Sequence, residues 1–527
     1  MSFGADWSLF MIKKIIAVLL LCAMATVSLV SCSNIEKQNE TESQTTAGTT
    51  SGSVAKDPLG DDDSETESEK YDGGLDVNAE KVSVYTENFK LTNAEMLYII
   101  NASYANFVST VEYYGQYYGM SLESLGLDPS KSIKDQKCTF DDFEGTWFDY
   151  FYRDAKTTVD EMLAVCEAAK AAGHTLSDEE KKQIDDALKG ISDEAKEANL
   201  SEDEYLAENY ATGITTKVVS TIMEYSLYAT SYLTKVQNDA DVSDAALEAK
   251  YNADPNSVDK VDFILCSFDY NDLVAKDADD AAKEEAKNKC RTHASEIAKA
   301  TTKEEFVAKI KDVLINEFGQ TAEEAEKSVA AITYTGQPYA DDVVIKWAFG
   351  DVSVGDTKVF EDEATSMIAA GFFLGRTSKS EAPSKRDVYH ILFSTETYKD
   401  DSVVNQVYND WIKEGATLDS FKTLAGKYTE DPGSQKTGGL YEDVAPGDMV
   451  TEFNDWLFDP ARQEGDHGIV KTSYGWHIMY AGKGEGVQWK DAVKAVIQSE
   501  AVSNMQESAQ ETYKVTYDEE ILATLPM

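Results

Sequence analysis

The chain has 527 residues, 96 of them acidic against 48 basic, for a formal net charge of −48. That length exceeds one ordinary domain, and a 42% apolar content allows several cores. The charge argues against a nucleic-acid binder, which needs a basic face to neutralise phosphates, and against docking on anionic lipid through protein charge. Of six cysteines, two lie near the start of the chain and four are scattered without a CxxC pair, which gives no disulfide framework or zinc site, so buried thiols are expected for Cys138, Cys166, Cys266 and Cys290.

At the start of the chain, Lys13 and Lys14 precede an apolar run from Ile15 to Val30. That run is shorter than the roughly 20 residues a spanning helix needs. Charge, a short apolar core and then small residues is the layout of a secretory signal peptide. The run ends Leu29-Val30-Ser31-Cys32, which resembles a bacterial lipobox. The resemblance implies a lipoprotein signal peptide over residues 1–32 and a diacylglycerol on Cys32. Residues 33–78 are Ser-, Thr-, Gly-, Asp- and Glu-rich, include Asp61-Asp62-Asp63, and read as a disordered acidic linker.

Residues 79–250 have a helical pattern. Thr92-Asn93-Ala94-Glu95, Ser177-Asp178-Glu179-Glu180 and Ser201-Glu202-Asp203-Glu204 each read as a capping box. Val218, Val219, Ile222, Met223, Tyr225 and Leu233 repeat at helical spacing. Aromatic residues crowd two stretches, Tyr104 to Tyr118 and Trp147 to Tyr152, where they form either a core or an adaptable cradle for unfolded chains. Trp147-Phe148-Asp149-Tyr150-Phe151, then Ala168 to Ser177, then Glu204-Tyr205-Leu206 occur in an order that resembles the helical module of the SurA, PrsA and trigger-factor chaperones. In such foldases a helix after the isomerase returns to this module. Residues 487–527, with Trp489, Val493, Val496 and Ile497, are expected to complete it.

The most specific stretch is residues 383–484. Val388-Tyr389-His390-Ile391-Leu392-Phe393 alternates like a strand, and a helical stretch follows around Val404, Val407, Tyr408 and Trp411. Leu418 to Ala425 then leads to Tyr428-Thr429-Glu430-Asp431. Beyond these lie Gly438-Gly439-Leu440-Tyr441, Gly447-Asp448-Met449-Val450-Thr451-Glu452-Phe453, Gly465-Asp466-His467-Gly468 and Tyr474-Gly475-Trp476-His477-Ile478-Met479. In this order the signals are similar to the parvulin type of peptidyl-prolyl isomerase domain from end to end.

The resemblance implies a small antiparallel sheet wrapped by helices. It places His390 and His477 facing each other in the sheet, with Asp431 where the family has Cys or Asp, as the catalytic set. Met449 and Phe453 would line the pocket for the proline ring, with Leu440 beside them. His467 is expected to be exposed in its turn, with Asp448 and Asp466 as turn residues. Many parvulins read Gly-Gly-Asp-Leu-Gly where this chain reads Gly438-Gly439-Leu440-Tyr441, which leaves the path of that loop open. The domain contains no cysteine, so attack by a thiol is excluded. No cofactor or metal is implied.

Residues 257–380 repeat the pattern in eroded form. Asp262-Phe263-Ile264-Leu265 parallels Tyr389-His390-Ile391-Leu392, Thr302 to Phe306 parallels the Leu418 to Phe421 stretch, and Trp347-Ala348-Phe349 parallels Trp456-Leu457-Phe458. The first of these parallels sets Phe263 opposite His390, and counting without gaps from Gly355-Asp356 against Gly465-Asp466 sets Met367 opposite His477, which would make this copy inactive. The expected fold class is therefore α+β and multidomain: a helical chaperone domain plus parvulin-like domains. The expected function is a lipid-anchored foldase on the extracytoplasmic face of the cell membrane. It would isomerise X-Pro bonds in unfolded or secreted polypeptides, with no nucleic-acid partner. The alternative is a non-catalytic holdase lipoprotein that uses parvulin folds for binding. A solute-binding lipoprotein would need a two-lobed βαβ pattern, which is absent.

Overall fold

The computed structural model describes residues 78–140, 143–211, 213–275 and 278–525. The expected signal peptide with Cys32, and the linker through residue 77, lie outside the described residues. Among those described, no helix is long and apolar enough to cross a membrane. The chain divides into two units, residues 1–240 with 498–527, and residues 241–497.

The first unit is a helical body with one small sheet. Among the described residues its longer helices before residue 240 are α1 (Asn93–Tyr118), α2 (Trp147–Ala171), α3 (Asp178–Glu197), α4 (Glu202–Asn209) and α5 (Thr216–Asp239). The caps at Thr92, Ser177 and Ser201 carry both halves of the box, each hydroxyl accepting an N–H while the following Glu accepts the cap's own. Trp147 and Phe151 are fully buried with Ile100, Met162 and Val219, whereas Tyr113 stays about half exposed at 52%. The second aromatic stretch is thus core, and Tyr104 and Phe107 of the first pack against it. Strand β1 (Val82–Tyr85) pairs with β2 (Lys90–Thr92) and with Thr516–Tyr517 near the end of the chain. The buried Glu167 holds the β1–β2 turn through Thr86 Oγ1 at 2.7 Å and the Asn88 amide nitrogen at 2.6 Å. Val502, Ala509, Leu522 and Leu525 join the same core.

The division of the chain differs from the one expected. Helix α6 (Asp244–Ala253) and the start of the long helix Gln488–Thr512 belong to the second unit, where Leu247 and Tyr251 bury Trp489 and Val493. The C-terminal residues belong to the first unit only from Gln498 onward. Helical spacing shows that these residues have an apolar face. It does not show which apolar face meets it.

The rest of the second unit is two four-stranded antiparallel sheets of identical order. One runs β4-β3-β6-β5, from β3 (Lys260–Asp269), β4 (Thr333–Gln337), β5 (Thr357–Asp362) and β6 (Met367–Thr377). The other runs β8-β7-β10-β9, from β7 (Lys385–Ser394), β8 (Leu440–Val444), β9 (His467–Lys471) and β10 (Gly475–Glu485). In the first sheet, helices α7 (Asp280–Ile297), α8 (Lys303–Asn316) and α9 (Ala322–Ala331) precede β4, and α10 (Val343–Ala348) follows it. In the second, α11 (Ser402–Lys413) and α12 (Leu418–Tyr428) precede β8, and α13 (Thr451–Leu457) follows it.

The two sheets can be compared residue by residue through their hydrogen-bond register. Phe263 pairs with Phe373 and Tyr334, as Val388 pairs with Ala481 and Tyr441. One position earlier in each, an aspartate carboxylate accepts a backbone N–H from the neighbouring strand: Asp262 from Gly336 at 2.6 Å and Asp387 from Asp443 at 3.1 Å. The position of His390 therefore falls on Leu265, and that of His477 on Ala369. This corrects the expected Phe263 and Met367 by two residues each. For Phe263 the cause is the shared Ile-Leu pair, which matches Ile264-Leu265 to Ile391-Leu392 although the register sets Leu265 at His390. For Met367 it is the β5–β6 hairpin: Gly355 and Asp356 bond to Phe373 as Gly465 and Asp466 bond to Ala481, but the hairpin between is two residues longer in the first sheet. Ungapped counting cannot see such an insertion, and in a strand every slip moves the comparison to a new side chain.

Two helices cover one face of the second sheet and one helix the other. Tyr389, Ile391 and Phe393 of β7 and Trp476, Ile478 and Tyr480 of β10 point to α11 and α12, where Trp411 and Phe421 are buried. Val388 and Met479 point to α13, with Phe453 and Leu457. Alternation at period two thus sends His390 and His477 to the α13 face. Strand β8 can join β7 only because Gly439 is bare: a Cβ there would press into the His390 carbonyl oxygen, and its φ is +87°. The substitution Gly439→Ala should therefore destabilise this unit by more than about 2 kcal/mol and lower its thermal midpoint, measured by circular dichroism on the full chain.

Candidate active site

His390 on β7 pairs across the ladder with Met479, and His477 on β10 with Leu392, so the two histidines stand diagonally on one sheet face. Both are buried, at 4% and 5% exposure. Their Nδ1 atoms lie 3.1 Å apart. His390 Nε2 is 3.0 Å from Asp431 Oδ2, and His477 Nε2 is 2.9 Å from Thr472 Oγ1.

Asp431 sits in the loop after α12, which is tied along β7. Leu392 N–H donates to Thr429 Oγ1 at 3.1 Å, and Glu430 N–H to the Leu392 carbonyl at 2.9 Å. Besides His390, Asp431 Oδ2 accepts the Ser434 amide at 2.9 Å, the Ser434 hydroxyl, and the Tyr441 hydroxyl at 3.0 Å. Burial by itself raises the Asp431 pKa. The hydrogen bonds from His390, Ser434 and Tyr441 and the proximity of His390 outweigh it and hold the carboxyl well below the usual range. For His477, burial is the largest effect, followed by the neighbouring His390, and together they push it down to about 3.

Hydrogen-bond accounting assigns a direction to this chain. The ionised Asp431 can only accept, so His390 Nε2 carries a proton; with one proton on each ring, His390 Nδ1 accepts, and the Thr472 hydroxyl, which takes the Tyr474 N–H at 3.1 Å on one lone pair, gives its proton to His477 Nε2. His477 then donates from Nδ1 to His390 Nδ1, and His390 donates from Nε2 to the ionised Asp431. Every polar atom in the set then has a partner.

Phe453 on α13 stands nearly perpendicular to both imidazoles, with centroids 5.5 and 5.4 Å away. Met449 is half-buried against the cluster of Phe453, Val388 and Met479. Five of the six expected residues, His390, Asp431, His477, Met449 and Phe453, therefore converge on the α13 face. Leu440 does not. It is paired with Tyr389, whose side chain points to α11 and α12, so Leu440 shares that opposite face. Tyr441, paired with Val388, takes the site position and stacks on His390 with centroids 5.3 Å apart. Counting along Gly-Gly-Asp-Leu-Gly without a gap puts Tyr441 at the family's leucine, a signal present in the sequence.

Ser434 and Thr472 carried weaker signals, lying three residues after Asp431 and five before His477. His467 is half-buried rather than exposed, its Nδ1 bonded to the Tyr408 hydroxyl at 2.8 Å and its ring 4.8 Å from that of Trp411. Asp448 and Asp466 cap turns, accepting N–H groups of Ala445 and Gln463.

Comparison with known proteins gives the same assignment. The PPIC-type PPIASE domain family matches residues 373–483. The chain carries a parvulin-type peptidyl-prolyl isomerase domain. A stretch of 101 residues is 33% identical to foldase protein PrsA 4 of Bacillus cereus, covering 19% of this chain and 32% of that protein. Another of 99 residues is 34% identical to chaperone SurA of Pseudomonas putida, covering 18% of this chain and 21% of that protein. The chain thus spans no more than about a third of the length of these curated relatives. Among solved structures, that of PrsA from Bacillus subtilis matches at 14% identity over 75% of this chain and 98% of that one, with a TM-score of 0.22.

In the parvulin domain the low pKa of His477 links its stability to pH. The folded value, about 3, lies below the ordinary 6.5, so between these values the unfolded chain binds the extra proton. Stability from this group is present above pH 6.5 and is lost as pH falls toward 3. Asp431, also held low, acts in the same sense below its ordinary 3.8. Melting at pH 7 and pH 4.5 should show a smaller acid-induced drop in midpoint for His477→Asn than for the native chain.

Proposed function

We propose that the chain is an extracytoplasmic foldase whose parvulin domain isomerises X-Pro bonds in unfolded or secreted polypeptides. The observation that carries this reading is the apolar cluster of Met449 and Phe453 beside a fully satisfied polar set of His390, His477, Asp431, Ser434 and Thr472. Rotation about an X-Pro bond faces a barrier of about 18–20 kcal/mol because amide conjugation must be lost. Uncatalysed exchange takes roughly 10–100 s at room temperature.

No covalent bond need break. A planar amide is more dipolar than a twisted one, so moving it from water into a dry apolar pocket favours the twist. Met449 and Phe453 grip the proline ring while the chain on one side turns. The two histidines form the polar floor of the pocket. Their nitrogens are engaged with one another, Thr472 and Asp431, so their role is to hold its shape. The oxygen of Asp431 that faces His390 already accepts four donors and does not act as a nucleophile.

The sheet of residues 257–380 is a second parvulin-like module without catalysis. Leu265 and Ala369 replace the histidines, and helix α9 occupies the place of the loop that carries Asp431 and Ser434. The helical unit, with the exposed Tyr113 and Met120, is the holding surface for unfolded clients. Lys13 to Cys32 supports secretion and lipid anchoring at the cell membrane.

Proline-limited refolding of a model substrate tests the isomerase. The native chain should accelerate the slow phase, His390→Ala and Met449→Ala should reduce that acceleration at least about tenfold, and Leu265→Ala should leave it unchanged. Suppressed aggregation with no rate effect would overturn the enzymatic reading in favour of a holdase. Cys32→Ala should move the protein from the membrane fraction to the soluble one, and retention in the membrane would refute the anchor.

A further inference from the structure

Tyr441 stands where the family pattern has leucine, and it does two things leucine cannot. Its ring stacks on His390 at an interplanar angle of 29°, and its hydroxyl donates to Asp431 Oδ2 at 3.0 Å. Burial, then the charge of Asp431, push that hydroxyl up to about 12, so it remains a donor throughout the neutral range. A second residue makes room for it. A Cβ built on Gly433 would press into the Tyr441 hydroxyl oxygen, with the ring carbon Cζ at 3.4 Å and Asp431 Oδ1 at 3.6 Å. Gly433 is not among the glycines with positive φ, so the backbone there does not demand glycine. Space for the tyrosine does.

The geometry points to Tyr441 as a positioning residue of the isomerase site, seated by Gly433, that fixes Asp431 and the plane of the His390 ring. This rests on the isomerase reading above and adds a residue to it. Asp431 Oδ2 is the terminal acceptor of the chain from Thr472 through His477 and His390. Rotation of the His390 ring would withdraw both of its nitrogens from their partners. The Tyr441 ring lies over the imidazole and opposes that rotation. Its hydroxyl holds the carboxylate oxygen where His390 Nε2 needs it. Tyr441 acts through these two groups rather than on substrate, which distinguishes it from a residue that only lines the proline pocket.

The test uses the full chain in four forms: native, Tyr441→Phe, Gly433→Ala and the double variant. Two measurements are made on each, kcat and KM on an X-Pro peptide and the imidazole signals of 15N-labelled histidine. Tyr441→Phe keeps the ring and removes only the hydroxyl. It should lower kcat about tenfold with KM within about twofold. Gly433→Ala should do the same by displacing the hydroxyl, and the double variant should be no worse than either single one.

The single Nε2–H tautomer of His390 in the native chain should give way to averaged signals in all three variants. Native kcat in Tyr441→Phe, a change confined to KM, or multiplying effects of the two substitutions would each overturn the proposal. If the native chain shows no isomerase activity, the reading beneath fails. The imidazole signals then decide the positioning role alone, and native signals in Tyr441→Phe would refute it.

Discussion

A carboxylate taken out of water must be met by donors, and the geometry of the parvulin site follows from how Asp431 meets that demand. Its Oδ2 atom accepts from His390, twice from Ser434, and from Tyr441. With the acceptor end fixed there, His390 must donate from Nε2, which leaves its Nδ1 to accept from His477. Thr472, whose oxygen already accepts a backbone N–H, closes the other end. The two rings are thus held in single tautomers by groups at opposite ends of the set. A partly satisfied network at this burial would be worse than an apolar core, and here every member has its partner.

The sheet makes this arrangement possible. Antiparallel pairing of β7 and β10 sets His390 and His477 diagonally across one ladder, and period-two alternation sends both to the face covered by α13. The earlier sheet has the same strand order and the same register, yet carries Leu265 and Ala369 at those places. One chain therefore holds the same topology twice, with the histidine pair present once. Fold supplies the positions, and a few side chains at those positions decide whether a polar set exists at all.

Much of this was legible in the sequence because the relevant signals are local. The alternation of Val388 to Phe393, the capping boxes at Thr92, Ser177 and Ser201, and the order of the parvulin motifs need only neighbouring residues to be read. Leu440 went to the wrong face because its side is set by which residue of β7 it pairs with. That pairing depends on Gly439 lying against His390. Met367 missed its place because a hairpin two residues longer shifts the register without altering the motif, and Phe263 because the Ile-Leu pair after it matches Ile391-Leu392 two residues out of register. Helix α6 was assigned to the helical body because helical spacing does not say what a face packs against.

By itself the sequence determined the α+β class, the parvulin motifs, and the identity of five residues that meet in the site. The class follows from residue type and periodicity and the five residues from the resemblance of the motifs, all of them local signals that hold whatever the rest of the chain does. Tertiary structure decided the direction of the hydrogen-bond chain, the exchange of Leu440 for Tyr441, and the seat that Gly433 makes for it. Each of these depends on distances between residues far apart along the chain or on opposite sides of a turn. Those distances exist only once the strands have paired.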